Sequence, residues 1–208
     1  MILDVMRSRR SVRRFRLDPV PREVLEGLVS AAVTAPSPSN KQPWRFFIVT
    51  RRSAIDAMAE AVRGAVARIE HNVPEQSAAA FRAYGDYFTR FEGAPCVIVP
   101  IHRASAVLSN LTEAGLAPAD RAQIEAMEQA SSLVAASLAL ENLLLAAHAA
   151  GLGASAMTGP LVAAADIAEI LEVPASWSIV ALVPVGYPDE VPAPTDRKPI
   201  DKCIRWIE

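Results

Sequence analysis

The sequence predicts one domain that mixes helices with a few strands, and three observations support this. Hydrophobic residues make up 51% of the 208 residues and charged residues 21%, a composition typical of a globular chain rather than a disordered one. Several stretches carry apolar residues at helical spacing. Only three short runs are rich in aromatic and β-branched residues, as strands are. A formal net charge of −2 argues against a general nucleic-acid binder.

The elements follow from hydrophobic periodicity and from the residues that break it. Pro and Gly residues separate the periodic stretches, because they end helices and start turns. Ser53 is predicted to cap the third helix. The predicted helices span residues 2–9, 22–34, 53–69, 75–91, 120–150 and 164–171. The predicted strands span residues 45–50, 95–101 and 177–186, with a short extended piece at 154–157.

Three regions outside the regular pattern have expectations of their own. Residues 104–117 are weakly patterned and are predicted to be a flexible or lid-like segment. Gly151 is predicted to end the long helix, because glycine is favoured at that position. The tail from Tyr187 contains four prolines and is predicted to run extended over a surface, with a second subunit as a candidate docking site.

An unusual basic run lies near the start of the chain. Residues 7–15 contain five arginines and two serines, although the whole chain is slightly acidic. Arginine forks and serine hydroxyls suit a phosphate or another compact anion, since guanidinium binds phosphate oxygens bidentately. The alternative is a solvated basic run without a ligand. The run therefore predicts an anion site, and other parts of the chain are needed to decide between an anion site and a solvated run.

The cysteines, the histidines and the longest apolar stretch argue against a metal site, a cysteine nucleophile and a membrane span. Two cysteines and three histidines are scattered without the spacing of metal ligands, so no metal site is predicted. Cys96 lies in an apolar run and is predicted to be a buried small residue rather than a nucleophile. The apolar stretch 133–157 is interrupted by polar residues and is predicted to be a buried helix rather than a membrane span. No secretory signal is recognised, and a cytoplasmic location is expected.

Four separated pieces of the chain together resemble the FMN-dependent nitroreductase family. They occur in the family's order and span nearly the whole chain. The pieces are Arg9-Arg10-Ser11-Val12-Arg13; Ala35-Pro36-Ser37-Pro38-Ser39-Asn40-Lys41-Gln42-Pro43-Trp44; Gly151-Leu152-Gly153-Ala154 with Met157-Thr158-Gly159; and Val185-Gly186-Tyr187-Pro188 with Arg197-Lys198-Pro199.

The resemblance implies a fold and an activity. It implies an α+β fold over residues 1–208, with a central, mainly antiparallel sheet flanked by helices. It also implies an intertwined homodimer with an extended C-terminal tail and with FMN at the subunit interface. The implied activity is ping-pong reduction of a nitroaromatic, a quinone or a similar acceptor by NAD(P)H, with the chemistry carried by the flavin and by no catalytic side chain. Dehalogenation, flavin fragmentation and non-catalytic flavin binding remain alternatives.

The resemblance also implies site residues. Basic and serine side chains of the first piece would hold the phosphate and ribityl chain of FMN, and Arg13 would also stabilise the reduced flavin. The prolyl loop would reach the flavin from the second subunit, and a backbone amide of residues 157–159 would face flavin N5. The implied cofactor-binding residues are Arg9, Arg10, Ser11, Arg13, Pro36, Ser37, Pro38, Ser39, Asn40, Met157, Thr158, Gly159, Arg197 and Lys198.

Substrate contacts are less defined. The aromatic side chains of Tyr84, Tyr87, Phe88 and Phe91 are candidates for the roof of a substrate pocket, where they would stack over an aromatic acceptor. Packing in the core or at a dimer interface is the alternative for these four. The family's side-chain donor to the flavin pyrimidine edge has no counterpart assigned in the middle of this chain.

Overall fold

The computed structural model of the chain describes residues 2–112 and 115–208. Its α-helices are α1 (Ile2–Ser8), α2 (Arg22–Ala32), α3 (Arg52–Glu70), α4 (Glu75–Gly85), α5 (Pro118–Ala149) and α6 (Ala164–Ile170). Its strands are β1 (Trp44–Val49), β2 (Cys96–His102), β3 (Gly153–Ala154), β4 (Ser178–Ile179) and β5 (Val183–Gly186). Tight 3-10 turns are formed by Pro38–Asn40, Asp86–Gly93, Ser109–Leu111, Gly159–Ala163 and Ile200–Lys202.

The five strands form one sheet in the order β1-β2-β5-β3, with β4 also paired to β2. Every strand pair is antiparallel, which confirms the predicted α+β class with a mainly antiparallel sheet. All seven residues of β2 are buried, because helices cover both faces of the sheet at this strand. The side chains of Cys96 and Ile98 join the apolar cluster formed with α2 and α5. Those of Val97, Val99 and Ile101 join the cluster formed with α3 and α6.

Two predicted helix boundaries are wrong. Helix α3 begins at Arg52, its cap residue is Arg51, and no side chain caps it, so Ser53 lies inside the first turn. The predicted helix 75–91 ends as α4 at Gly85 and continues as the 3-10 turn Asp86–Gly93. This tighter turn carries Phe91, which is fully buried. Tertiary packing of Phe91 therefore overrides the local helical pattern.

The predicted strand 177–186 is divided into β4 and β5 by a bulge. Ile101 pairs with Ile179, whereas Ile98 pairs with Val183, so the later strand has one residue more than β2 between these pairs. Pro100 lies in this interval and has no N–H to donate to a ladder. Its carbonyl accepts from the Val180 amide at 2.9 Å. A bulge is the usual way for a strand to accommodate such an extra residue.

Helix α5 is the central helix that the sequence predicts. By length and composition it could cross a membrane, but half of its most apolar window is buried inside the fold, as in a core helix. Its end is confirmed at Gly151, which has φ of 74°. The Gly151 amide donates to the His148 carbonyl at 3.0 Å, and the Leu152 amide to the Ala147 carbonyl at 2.9 Å. These two bonds are the Schellman arrangement that satisfies the last carbonyls of a helix.

A buried carboxylate on α5 anchors part of the predicted lid-like segment. Glu128 Oε1 accepts from the Val107 and Leu108 amides, both at 2.7 Å, and from the Ser109 amide at 3.1 Å. Its second oxygen accepts from Ser109 Oγ at 2.7 Å. These hydrogen bonds, led by the one from the Ser109 hydroxyl, lower the pKa of Glu128. Residues 113 and 114 of the predicted segment lie outside the described residues.

Candidate functional site

The fold brings two of the predicted motifs together. Ser11 forms a parallel bridge with Ala154, and the Val12 amide donates to the Ala154 carbonyl at 3.1 Å. The basic run therefore continues the edge of the sheet beside β3. The segment Met157–Gly159 follows three residues after Ala154, so it lies at the same edge. This placement joins the predicted phosphate-binding residues to the segment predicted to face the flavin ring.

Residues 187–190 hold the C-terminal part of the basic run in place. Glu190, the main hydrogen-bond acceptor in this segment, was not identified from the sequence. Glu190 Oε1 accepts from the Arg13 amide at 2.6 Å and from the Arg14 amide at 3.1 Å. Its other oxygen lies 3.9 Å from Arg14 Nε. The Arg16 amide donates to the Tyr187 carbonyl at 2.9 Å. No local pattern marks Glu190, because its partners lie about 176 positions earlier in the chain.

The arginines of the run have different tasks. Arg10 Nη1 donates to the carbonyls of Arg7 and Arg9, both at 2.8 Å, so it caps the end of α1, where a cation is favourable. Arg14 Nη2 donates to the Asp189 carbonyl at 3.0 Å. The Arg16 guanidinium lies 5.0 Å from the Tyr187 ring centre. The side chains of Arg14 and Arg16 are exposed, yet each also contacts the start of the tail.

Two buried polar atoms at this junction have no hydrogen-bond partner among the described residues. They are Arg10 Nε and Ser155 Oγ, and Ser155 is fully buried directly after the bridged Ala154. A buried donor without a partner costs free energy, so it commonly marks a place that a ligand or water completes. The residue set here is basic and hydroxyl-bearing, which fits a phosphate ester with a polyol chain.

Two of the three backbone amides in Met157–Gly159 remain candidates for the donor predicted to face flavin N5. The Met157 amide donates to the Leu182 carbonyl at 2.9 Å, so it is occupied by the sheet. Thr158 is exposed and Gly159 half-buried, and within residues 2–112 and 115–208 no backbone carbonyl outside the regular helices and strands accepts from their amides. A Cβ on Gly159 would lie 2.2 Å from Phe88 Cδ1. Glycine is therefore required for the Phe88 ring to lie against this turn.

The four predicted pocket aromatics are in different environments. Tyr84 and Phe88 form an edge-to-face pair with ring centres 5.1 Å apart, and Phe88 contacts the Gly159 turn. Tyr87 is exposed and has the Arg90 guanidinium 3.7 Å from its ring centre. Phe91 has no exposed surface and packs in the core with α3. A place for Phe91 in the pocket roof is therefore wrong, and core packing is what the structure shows.

The prolyl loop has an unusual backbone. Ser39 and Asn40 have φ of 50° and Gln42 has φ of 46°, the left-handed region that is costly for residues other than glycine. Ser37 holds the turn: its carbonyl accepts from the Asn40 amide at 3.0 Å, and its hydroxyl accepts from the Gln42 amide at 2.9 Å. Such local strain commonly accompanies function.

Within one chain, the prolyl loop and the basic pair Arg197-Lys198 of the tail do not reach the basic run. In the described parts of the chain, no hydrogen bond or ion pair joins Pro36–Asn40, Arg197 or Lys198 to residues 9–13. The loop packs on α5, and the Arg197 guanidinium donates to Thr195 Oγ1 at 3.1 Å. Arg197 and Lys198 are exposed. Their contribution to a shared site therefore stays a prediction.

Two titratable side chains of β2, Cys96 and His102, are buried. Burial raises the pKa of the Cys96 thiol to about 12, and Cys96 is buried as predicted. His102 Nδ1 lies 2.8 Å from Ser132 Oγ, which itself donates to the Gln129 carbonyl, so the ring nitrogen is the donor. Burial lowers the pKa of His102. In residues 2–112 and 115–208, no group of three or more His, Cys, Asp or Glu side chains could hold a metal ion.

Three curated proteins share most of this chain's length. An NADH dehydrogenase of Thermus thermophilus is 34% identical over 96% of this chain and 92% of its own length. A 5,6-dimethylbenzimidazole synthase of Rhodospirillum rubrum is 32% identical over 88% of this chain and 79% of its own. An iodotyrosine dehalogenase 1 homolog of Caenorhabditis elegans is 30% identical over 96% of this chain and 59% of its own.

Solved structures show the same fold. A BluB-like flavoprotein of Clostridium difficile superposes with a TM-score of 0.86 at 22% identity, covering 100% of this chain and 99% of that one. A nitroreductase with bound FMN from Desulfitobacterium hafniense gives 0.73 at 21% identity, covering 100% and 98%. The model of the nitroreductase family matches residues 6–187. Because this model covers most of the chain and the Thermus thermophilus relative is 34% identical over 96% of it, the chain belongs to the nitroreductase family.

Proposed function

We propose that the protein is an FMN-dependent NAD(P)H oxidoreductase that reduces a nitroaromatic, a quinone or a similar electron-poor acceptor. The single observation that carries the proposal is the bridge between Ser11 and Ala154. It joins the basic run to Ala154, four residues before Thr158, and so supports a site in which cations for a phosphate and amides for a flavin ring lie on connected segments. Family membership and the FMN of a solved relative support the choice of cofactor.

Each part of this edge has a role. Arg9, Ser11 and Arg13 hold the phosphate and ribityl chain, and the amide of Thr158 or Gly159 donates to the ring. Glu190 keeps the Arg13 backbone in place through its hydrogen bond. Held by these residues, FMN would supply hydride and electron transfer between NAD(P)H and the acceptor. The chain's own task is to bind, to orient and to stabilise negative charge on the reduced ring.

A homodimer completes the proposed site. Met127, Val134 and Leu138 are exposed on one face of α5, at spacings of seven and four residues. With Pro36 and Pro38 they line an apolar groove of about 420 Å³. A second copy packed on this groove would bring each prolyl loop, and the exposed basic pair of the tail, near the partner's basic run. We expect one such domain per chain over residues 1–208, in the cytoplasm.

The proposal is tested on purified protein. We expect a yellow protein that releases FMN on denaturation and is bleached by NADH or NADPH without oxygen. A colourless protein that fails to take up added FMN contradicts the proposal. In the double variant Arg9→Ala/Arg197→Ala the Kd for FMN should rise at least tenfold, since two charged contacts are lost. The matched variant Arg22→Ala/Arg68→Ala, which removes two exposed arginines of α2 and α3, should bind FMN like the wild type.

Flavin fragmentation is a second candidate function. It is supported by the 32% identical 5,6-dimethylbenzimidazole synthase and by the BluB-like fold neighbour. Incubating the reduced, FMN-loaded protein with oxygen separates the two. Loss of FMN with appearance of a benzimidazole product would favour fragmentation, whereas turnover of nitro compounds with intact FMN would favour reduction. Dehalogenation, the activity in the name of a third relative, would appear as halide release from a halogenated phenol.

A further inference from the structure

A cationic cleft lies at one end of the sheet, outside the residues assigned to the flavin. Its volume is about 670 Å³, within the range of about 300–1,000 Å³ of ligand pockets. Three cations line it: Lys41 and Arg45, four residues apart around the start of β1, and Arg103, which directly follows β2. Of the described residues in its lining, none is acidic. No ion pair holds any of the three cations within the described part of the chain.

One tryptophan organises two of these cations. The Arg45 guanidinium lies 4.6 Å from the centre of the Trp177 ring, and that of Arg103 lies 5.1 Å from it. Contact with an indole face is favourable for a guanidinium, and it holds two like charges near one another at an exposed site. Two neighbouring positive charges repel each other. A bound anion would offset this repulsion, and the forked donors suit phosphate oxygens.

The remaining lining is suited to a ligand larger than a single ion. Gln42, Asn110, Gln129 and Ser176 add amide and hydroxyl groups, which can donate to and accept from sugar hydroxyls. The Arg103 amide donates to the Pro43 carbonyl at 3.2 Å, which ties the end of β2 to the start of β1. The part of the cleft wall that carries Arg45 and Arg103 is therefore held by the sheet.

The position of Lys41 connects the cleft to the proposed flavin site. Lys41 directly follows the loop Pro36–Asn40, which is expected to contact the flavin of the partner subunit. A donor whose nicotinamide lies on that flavin carries its diphosphate one ribose away. We propose that this cleft binds the diphosphate of the reduced nicotinamide dinucleotide through Arg45, Arg103 and Lys41. The identity of the ligand rests on the proposed function, whereas the presence of an anion site in this cleft does not depend on it.

Direct binding tests the anion site. ADP is added to the FMN-loaded protein, and its Kd is measured by calorimetry at two salt concentrations. We expect saturable binding that weakens with salt and that weakens at least tenfold in Arg45→Gln/Arg103→Gln. The charge-matched control Arg22→Gln/Arg68→Gln should bind ADP like the wild type. If the double variant does not fold, each single variant is measured instead. Absence of ADP binding, or equal binding in all variants, overturns the site.

Donor kinetics test the identity of the ligand. In Arg45→Gln/Arg103→Gln the KM for NADH should rise at least tenfold, whereas the KM for 1-benzyl-1,4-dihydronicotinamide, which has no phosphate, should not change. An unchanged KM for NADH together with lost ADP binding overturns the assignment to the donor and points to a phosphorylated acceptor. If the protein reduces nothing, the proposed function fails, while the ADP measurement still decides whether the cleft binds a diphosphate.

Discussion

The hydrogen bonds of Glu190 to the basic run lead to a quantitative prediction. Replacing Glu190 with Ala removes the acceptor of the half-buried Arg13 amide at 2.6 Å, and a hydrogen bond to a charged group contributes about 1.5–3 kcal/mol. The Arg14 amide is more exposed, so water replaces most of its bond. The ion pair with the Arg14 side chain, which is 69% exposed, adds less than about 1 kcal/mol. We therefore expect a loss of about 2–3 kcal/mol in the free energy of unfolding.

This loss corresponds to a measurable change in melting temperature. For a chain of this length, 1 kcal/mol shifts Tm by about 2–4 °C, so Glu190→Ala should melt about 4–12 °C below the wild type at equal protein concentration. Glu190→Gln keeps one neutral acceptor oxygen and should lose about half as much. Asp189→Asn is the matched control, since it removes the neighbouring charge and leaves the recorded backbone bonds of residue 189 intact.

Hydrogen exchange gives the local readout. The Arg13 amide should exchange at least tenfold faster in Glu190→Ala than in the wild type, while it should be unchanged in Asp189→Asn. If Glu190→Ala melts within about 1 °C of the wild type and the Arg13 amide exchanges at the same rate, then Glu190 does not fix the basic run. The basic run would then not be held in place by Glu190 before a cofactor binds.

Three further predictions concern the core and the flavin turn. Gly159→Ala places a Cβ 2.2 Å from Phe88 and should cost about 1–3 kcal/mol in urea unfolding; a change below about 0.5 kcal/mol contradicts the packing. Because burial lowers the pKa of His102 in the folded state, the unfolded state binds more protons, and stability should fall as pH drops below about 6.5. His102→Gln should flatten that dependence. In the native protein a thiol reagent should label the exposed Cys203 but not Cys96, which is buried and whose pKa burial raises to about 12. In denaturant the reagent should label both cysteines.

Local signals predicted most of the elements. Helices α2, α5 and α6 and strands β1 and β2 lie within a few residues of their predicted places, because each carries its own apolar period. Gly151 ends α5 as predicted, since a left-handed residue at this position needs glycine and no distant partner. The sheet class and the family were also predicted, from motifs that retain their order along the chain.

What depended on contacts between distant residues was missed or placed wrongly. The pairing of β2 divided one predicted strand at a bulge, because Pro100 cannot donate a ladder bond. Of the four aromatic residues predicted to line a pocket, Phe91 is the one that is fully buried in the core, and the local sequence did not distinguish it from the others. The contacts of Arg13 and Arg14 were also decided by partners far away in the chain.

The sequence by itself determined the fold class, the family and the basic run that marks the proposed cofactor site. Only the tertiary structure decided which atoms of that run are already occupied. It assigned the Arg13 amide to Glu190 and the Arg14 guanidinium to the Asp189 carbonyl, and, outside the run, the Met157 amide to the sheet. The physical reason is that composition and period report on neighbours within a few residues, whereas hydrogen bonding and burial depend on which segments meet in space.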